Sequence, residues 1–529
     1  MNITTLCISG LLLSSLSGAI NAAHKDFGEG LTNASPARML TNAHHEHDHW
    51  NGVGRIRNDD QSLCTASLLD TRDENGRSGP AYVLTSSHCL HHLSGSTQKD
   101  LPIKGSINFN YFDDTLDTFK TYPLKTLKWS SNQGVDLAVI ELHSSLTDMI
   151  KAGIHPLKLA DVVPADGTDI LTLMAPEWNT LHVSACVQQA SRELVEQPFI
   201  WRETMKNQCN GTERGSFGGA LLDRQSNTLF GILSTSTHGQ PQERKCQRDA
   251  PCELIDGQPT WHPETNYGSP VTFLNRCFVK GVLQADSQQC DLFPSASITF
   301  INPEPIQQYF TRQPDGKGND IVPRWNLTFS TNTPFYRYKT TRRAIDCENP
   351  VHYSSPIKAD NARINDAIDA QTGLHMLCIV GVTSAEQTVT NNMMRNALSL
   401  AVELAEPGPA RTPSVTIALD KLGSLAYTVI WGLDPPFMRR YTYKYGPVAT
   451  TDCASASNYL PIPGKPALDG DDEDPPIDLV YPLNDPAGKP QKRFAQLISV
   501  RDTPIKICTY AFDQADQPSP LRVDLLKPR

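Results

Sequence analysis

Residues 211–223 read GTERGSFGGALLD, in which a serine and a phenylalanine lie among glycines just ahead of an apolar run. A second apolar run, TLFGILS, follows at 228–234 after the polar connection RQSN. Two apolar runs around a short polar connection predict a β-hairpin. Similar short runs (AYVLTSS, GVDLAVIEL, LHVSACV) recur between residues 50 and 291 and predict a mainly β domain, a barrel or a sandwich.

The length and charge of the chain limit its class. A chain of 529 residues is too long for one core and predicts two to four domains. Charged residues make up 20% and hydrophobic residues 39%, which is typical of a soluble globular protein. The net charge of −10 gives no electrostatic reason to expect nucleic acid or an anionic membrane as a partner.

The N-terminus predicts export. Residues 1–22, MNITTLCISGLLLSSLSGAINA, have the apolar run and small terminal residues of a signal peptide, so we expect a secreted protein, extracellular or periplasmic. No later segment reaches the roughly 18 apolar residues of a membrane span. Residues 23–49 form a His-rich segment that ends in HHEHDHW, which could bind zinc or copper or could be a solvated tether.

Cysteine usage agrees with export. Twelve cysteines remain without the signal peptide, and an even number in an exported chain predicts disulfides. No CxxC pair or Cys/His spacing indicates a zinc site, and we predict no metal or cofactor.

A histidine and an aspartate have the surroundings of a catalytic pair. Cys64 and Cys89 bracket a predicted strand pair, and a disulfide there would fix the adjacent His88 on a rigid corner. Asp136 heads the buried-looking strand GVDLAVIEL, where a carboxylate requires a hydrogen-bond donor. The Nδ1–H group of a histidine is a suitable donor.

The boxes TSSHC, GVDLAVIEL and GTERGSFGGALLD…LFGILS, in this order, resemble those of the trypsin/chymotrypsin family of secreted serine proteases. The bacterial branch with glutamyl and lysyl endopeptidases is the most similar. The resemblance covers residues 50–291 and implies a chymotrypsin-like double β-barrel that binds a protein or peptide substrate. It also implies disulfides Cys64–Cys89 and Cys186–Cys209.

The nucleophile box departs from the family pattern Gly-x-Ser-Gly-Gly. Aligned without gaps, Gly215 takes the oxyanion-hole position and Phe217 takes the position of the nucleophile. A shift by one residue makes Ser216 the nucleophile, but it puts Arg214 and Phe217 where the family keeps glycines. Phenylalanine cannot attack a carbonyl, so the favoured alignment predicts an inactive or severely impaired protein with a peptide-binding cleft. The alternative is an active endopeptidase that uses Ser216, His88 and Asp136.

The resemblance places Thr212 and Leu233 in the primary specificity pocket. Neither is an acid that would select Arg or Lys, and cleavage preference stays open. The pairing among four further cysteines also stays open: Cys246, Cys252, Cys277 and Cys290.

The C-terminal part repeats itself. Trp325–Cys347 resembles Tyr427–Cys453 in the order of strand, Pro-aromatic turn, Tyr-x-Tyr-Lys strand and Asp-Cys. This repeat predicts two β-sandwich modules, residues 292–410 and 411–529, loosely similar to immunoglobulin or fibronectin type III domains. We expect one disulfide in each and contacts with an extracellular partner. The predicted bridges are Cys347–Cys378 and Cys453–Cys508. The acidic insertion GKPALDGDDEDPPIDL in the second copy could hold calcium or be a solvated loop.

Overall fold

The computed structural model describes most of the chain from residue 25 to residue 528. The gaps are 60–62, 91–96, 178, 192, 286, 288, 291, 293–295, 302–307, 311–312, 315–319, 390–392, 395–396, 406–411, 414, 420–425, 433–439, 463–492, 501–502 and 513–517. The signal peptide predicted at 1–22 and the acidic insertion at 464–479 lie outside the described residues. Among the residues described, none of the helices has both the length and the apolar character that crossing a membrane requires.

The first barrel is a closed ring of six antiparallel strands in the order β7-β6-β2-β3-β4-β8, in which β8 pairs back onto β7. Its interior is filled by aliphatic side chains of alternating positions, such as Ile107, Leu127 and Ile140. A short helix, α1 (Leu146–Lys151), follows β8, and the side chain of Ser145 caps its N-terminus. The strands are β1 (Arg38–Met39), β2 (Val53–Asn58), β3 (Leu63–Leu68), β4 (Pro80–Thr85), β5 (Gln98–Pro102), β6 (Gly105–Phe109), β7 (Lys120–Ser131) and β8 (Leu137–Ser145).

The second barrel is an eight-stranded sheet in the order β1-β10-β9-β15-β16-β19-β14-β11. β10 and β11 lie near its opposite edges although they follow one another in the chain, so the sheet curls round on itself. The hairpin predicted from TLFGILS is β15 with β16. The strands are β9 (Asp169–Met174), β10 (His182–Val187), β11 (Gln189–Ala190), β12 (Glu193–Glu196), β13 (Phe199–Trp201), β14 (Met205–Asn207), β15 (Ala220–Asp223), β16 (Leu229–Ser236), β17 (Cys252–Ile255), β18 (Gln258–Thr260), β19 (Asn266–Pro270), β20 (Phe278–Val279) and β21 (Val282–Leu283).

The N-terminal segment is part of this double barrel. β1 pairs with β10, and Leu31 and Leu40 are buried in the core that both barrels share. Asp26 forms an ion pair with Arg224, at 2.7 Å between Oδ1 and Nε. The expectation that residues 23–49 form a solvated tether is therefore wrong for residues 25–49, because Leu31 and Leu40 of this segment are buried in the core.

The first sandwich module continues a sheet of the double barrel. One nine-stranded sheet contains β18-β17-β12-β13 from the barrel side and β31-β30-β27-β28 from the module, with β23 also paired to β31. A smaller sheet, β22-β26-β29, packs on its module half around Phe329 and Tyr336. The added strands are β22 (Ile298–Phe300), β23 (Gln308–Phe310), β24 (Gln313–Pro314), β25 (Asp320–Ile321), β26 (Leu327–Thr331), β27 (Phe335–Thr341), β28 (Ile357–Lys358), β29 (Arg363–Ile364), β30 (Gly373–Val382) and β31 (Leu398–Ala405).

The second module packs a three-stranded sheet, β32-β33-β36, on a four-stranded sheet, β35-β34-β37-β38, around Trp431 and Tyr441. The prediction of a double β-barrel followed by two sandwiches is confirmed. Its strands are β32 (Val415–Leu419), β33 (Ala426–Gly432), β34 (Arg440–Pro447), β35 (Leu460–Ile462), β36 (Arg493–Ser499), β37 (Ile505–Phe512) and β38 (Arg522–Leu526).

The repeat seen in the sequence extends to the side chains. In the first module Lys339 lies over the ring of Tyr353, whose hydroxyl donates to the carbonyl of Cys347 at 2.8 Å. In the second, Lys444 lies over Tyr459, whose hydroxyl donates to the carbonyl of Cys453 at the same distance, 2.8 Å. The two modules are thus built alike around their disulfides.

Six disulfides cross-link the described chain. The structure joins the four pairs that we expected and adds two pairs that the sequence left open. The pairs are Cys64–Cys89, Cys186–Cys209, Cys246–Cys252, Cys277–Cys290, Cys347–Cys378 and Cys453–Cys508.

Candidate active-site cleft

His88 and Asp136 meet between the two barrels. His88 lies in a 3₁₀ turn at the end of β4, and the Cys64–Cys89 disulfide ties that turn to β3. Its Nδ1 atom lies 2.7 Å from Oδ2 of Asp136, and its backbone N–H donates to Oδ1 at 3.0 Å. The carboxylate is fully buried, at 0% exposure. Two bonds between the same residues fix the orientation of the imidazole ring.

The surroundings of this pair favour a charged histidine. Burial lowers the pKa of His88, but the charge and the hydrogen bond of Asp136 outweigh burial and raise that pKa overall. The backbone N–H of Asp136 donates to the hydroxyl of Ser269 at 3.3 Å, which lies 2.9 Å from that of Ser234. The pair therefore has the orientation that proton transfer to and from a substrate would need.

Phe217 faces the histidine. The centroid of its ring lies 5.3 Å from that of the His88 ring, and the planes meet at 71°. The hydroxyl of Ser216 is buried, and it accepts a hydrogen bond of 3.1 Å from the backbone N–H of Glu213. The structure thus brings His88, Asp136 and Phe217 together, and no hydrogen bond joins Ser216 to His88.

Two glycines hold the loop in this register. Gly215 has φ +90°, and a Cβ atom there would lie 2.7 Å from the backbone nitrogen of Glu177. Gly218 has φ +79°, and a Cβ atom there would lie 2.2 Å from the carbonyl oxygen of Thr65. No larger residue fits at either position without displacing backbone. A shift that put Arg214 and Phe217 at these places would require the loop to rebuild.

The loop also carries two unused backbone donors. The carbonyl of Gly215 accepts from the hydroxyl of Thr65 at 2.9 Å, and that of Arg214 accepts from the N–H of Glu177 at 2.7 Å. These bonds fix the peptide planes on either side. Within the described chain, the N–H groups of Gly215 and Phe217 donate to no protein acceptor. Two such donors in one turn can bind a carbonyl oxygen or an oxyanion.

Thr212 and Leu233 lie beside this turn and are both buried. The backbone of Leu233 forms hydrogen bonds to the two glycines that follow Phe217. Its carbonyl accepts from the N–H of Gly218 at 2.7 Å, and its N–H donates to the carbonyl of Gly219 at 2.9 Å. The hydroxyl of Thr212 has no hydrogen-bond partner among the described residues. Neither the Thr212 nor the Leu233 side chain carries a charge.

One family model matches the part of the chain that carries this site. Residues 40–249 match the family model described as Trypsin. Over these residues the chain is similar to the trypsin family. No curated protein matches the chain.

Solved proteases resemble the trypsin domain at low identity. The active form of the Rv3671c protease from M. tuberculosis is 16% identical, and the match covers 46% of this chain and 85% of that one, with a TM-score of 0.29. The protease Anisep from Arthrobacter nicotinovorans is 14% identical over 42% of this chain and 90% of its own, with a TM-score of 0.28. The thermostable serine protease AL20 from an extremophilic microorganism is 14% identical over 42% and 92%, with a TM-score of 0.28.

The trypsin domain contains a cleft residue that the sequence did not reveal. Glu196 ends β12 and is buried near His88, whose pKa it helps to raise. Burial and the charge of Asp249 raise the pKa of Glu196 to about 7, while the N–H of Asp249 and the hydroxyl of Thr235 act in the opposite direction. The only sequence signal is an acid two residues before a proline, between the bridged cysteines Cys186 and Cys209.

The His-rich segment contributes aromatic packing. The rings of His47 and His49 lie 5.5 and 4.4 Å from that of Trp50, measured between centroids. Burial, with a smaller contribution from Lys25, lowers the pKa of His49 to about 4, so this ring stays neutral near pH 7.

In the described residues three metal-ligating side chains converge only at Cys64, His88 and Cys89, where the cysteines form a disulfide.

Proposed function

We propose that this chain is a secreted protein of the trypsin family that binds a peptide or protein in its cleft and has lost most or all endopeptidase activity. Phe217 takes the place of the nucleophile. The observation that carries the proposal is the contact between the rings of Phe217 and His88, at 5.3 Å between centroids.

The chemistry of the side chain supports this reading. A phenyl ring has no lone pair to attack a carbonyl carbon and no proton to give to His88. Removing the nucleophile from a catalytic triad costs about as much rate as removing the whole triad, on the order of a millionfold. Ser216 does not compensate, because its hydroxyl is held by the N–H of Glu213.

The retained parts of the cleft support binding. The donors of Gly215 and Phe217 can hold a peptide carbonyl, and the pocket beside Thr212 and Leu233 can take a side chain. The six disulfides are compatible with an extracellular location. We further infer that the two sandwich modules contact an extracellular partner, since the second module exposes Val523 and Leu525 on its edge strand β38.

The test compares the wild-type protein with two variants at one position. The wild type is expected neither to cleave denatured casein nor to react with a fluorophosphonate probe. Phe217→Ser places a hydroxyl beside His88 and is expected to create labelling that His88→Ala removes. Phe217→Ala is the matched control, because it removes the ring without adding a nucleophile, and it is expected to stay unlabelled.

Two labelling results would contradict the proposal or limit it. Labelling of the wild type that Ser216→Ala abolishes would show that Ser216 is the nucleophile and would overturn the proposal. Failure of all variants to label, with Phe217→Ser folded as judged by circular dichroism, would show that more than the nucleophile has been lost.

A further inference from the structure

A hairpin crosses the cleft from one barrel to the other. We call residues 193–201, which comprise β12, β13 and the turn between them, the roof hairpin. Trp201 forms a β-bridge with Gly134, which belongs to the first barrel just before Asp136. Leu194 and Trp201 pack against Tyr267 of the second barrel. The roof hairpin therefore contacts both barrels beside Asp136, and these contacts favour a cleft that is closed at this end.

The roof hairpin carries an unsatisfied carboxylate. Oε1 of Glu196 accepts from the N–H of Asp249 at 2.8 Å. The hydroxyl of Thr235 lies near enough to lower the pKa of Glu196. Oε2 is nevertheless buried without a hydrogen-bond partner of normal geometry among the described residues, and Glu196 as a whole is only 8% exposed. Both polar atoms of the neighbouring Gln197 side chain are also buried without partners. A buried polar group of this kind costs about 1–3 kcal/mol, so a ligand that satisfies it gains affinity.

The charges around Glu196 favour a cation. Asp249 is acidic, and its charge raises the pKa of Glu196, while His88 acts in the opposite direction. Arg248 lies near enough to lower the pKa of His88. It nevertheless forms no ion pair with Glu196, and its Nη1 atom is itself buried without a partner. Among the described side chains, no Lys, Arg or His forms an ion pair with Glu196 or Asp249, and the imidazole of His88 is already paired with Asp136.

The first sandwich module holds the roof hairpin in place. Phe199 pairs with Leu400 of β31, and the carbonyl of Pro198 accepts from the N–H of Ala401 at 2.8 Å. The carboxylate of Glu193 accepts from the N–H groups of Ala344 and Ile345 at 2.7 and 3.1 Å. These contacts give Glu196 a fixed position in the cleft.

We propose that Glu196 binds the α-ammonium group of a peptide or protein whose N-terminus enters the closed end of the cleft. An ammonium group donates up to three hydrogen bonds and brings the missing positive charge. A lysine side chain has the same chemistry, but the closed end favours a chain terminus, because nothing precedes it. The inference rests on the proposed function, since it requires that the cleft binds peptides.

The experiment uses peptides from a digest of casein in three forms: unmodified, acetylated only at the α-amine, and acetylated at both α-amines and lysines. Each is passed over the immobilised full-length wild-type protein, and retention is measured by mass spectrometry. A charge-assisted hydrogen bond predicts that α-acetylation weakens binding at least about tenfold. Glu196→Gln is expected to remove the difference, and Glu74→Gln, which changes an exposed loop carboxylate, is expected to keep it.

Each other outcome has its own meaning. Equal retention of all three forms would overturn the inference and leave the proposed peptide binding intact. Loss only after lysine acetylation would assign Glu196 to a side-chain ammonium and overturn the N-terminal assignment. No retention of any form would overturn both the inference and the proposed function.

Discussion

Replacing Glu196 by Gln should stabilise the protein at neutral and alkaline pH. The amide keeps an oxygen that can accept from the N–H of Asp249, but it carries no charge at any pH. In the wild type the carboxylate must ionise in a buried place beside Asp249, and this opposition raises its pKa from the ordinary 4.5 to about 7. The variant avoids this ionisation.

The size and sign follow from the two pKa values. Between pH 4.5 and about 7 the folded protein keeps a proton that the unfolded chain has released, so the free energy of unfolding falls as the pH rises. A rise in pKa from 4.5 to about 7 corresponds to about 3 kcal/mol. The wild type has lost this full amount of its free energy of unfolding once the pH is above 7. We expect Glu196→Gln to be more stable than the wild type by about 3 kcal/mol at pH 8 and by less than about 1 kcal/mol at pH 5.

Urea unfolding with disulfides intact, followed by tryptophan fluorescence at pH 5 and pH 8, measures both differences. Glu74→Gln should match the wild type at both pH values, because the Glu74 side chain lies exposed in a loop of the first barrel. A stability difference for Glu196→Gln that does not change between pH 5 and pH 8 would refute the reasoning. It would mean that Glu196 ionises in the fold as readily as in water.

Two further predictions concern other parts of the molecule. Because burial lowers the folded pKa of His49 from 6.5 to about 4, the free energy of unfolding should fall as the pH drops through that interval, by less than the full shift implies because solvent screens a half-buried ring. His49→Phe should lack this fall in the same urea assay, and an unchanged pH dependence would contradict the burial. Limited proteolysis should cut at 311–320, in the Pro- and Gly-rich TRQPDGKGND, but the two fragments should co-elute in gel filtration because one sheet joins them. Separate elution would refute the shared sheet.

The sequence predicted the hydrogen-bonded pair of His88 and Asp136 and the glycine loop, because each depends on a few adjacent residues. His88 beside a bridged cysteine, Asp136 at the head of a buried strand, and glycines 215 and 218 leave a local pattern. The short apolar runs likewise predicted a barrel or a sandwich, the family resemblance implied the double barrel, and the internal repeat predicted the two sandwich modules. The sequence favoured Phe217 over Ser216 at the nucleophile position because only that alignment keeps glycines where a side chain would not fit. This steric requirement is also local.

Other features depend on distant contacts and left no such signal. Glu196 reaches the cleft only because β12 pairs with β17 and β13 with β31, and no residue near it indicates either pairing. The boundary drawn at 291/292 follows a change in composition, whereas the sheet that crosses it joins strands about 200 residues apart. The prediction of a solvated tether at the His-rich segment failed for a related reason. Its composition is mostly polar, and the two residues that anchor it in the core, Leu31 and Leu40, form no periodic apolar pattern.

The nine-stranded sheet connects the first sandwich module to the cleft, so a force applied to the module would act on the cleft. A tether that pulled on this module would load β31, and the hydrogen bond from Ala401 to Pro198 would pass the force to the turn of the roof hairpin. Because Trp201 is bridged to Gly134, the strain would reach the loop that ends at Asp136. Tension on the C-terminal half would thus be transmitted toward Asp136, whose carboxylate orients the imidazole of His88.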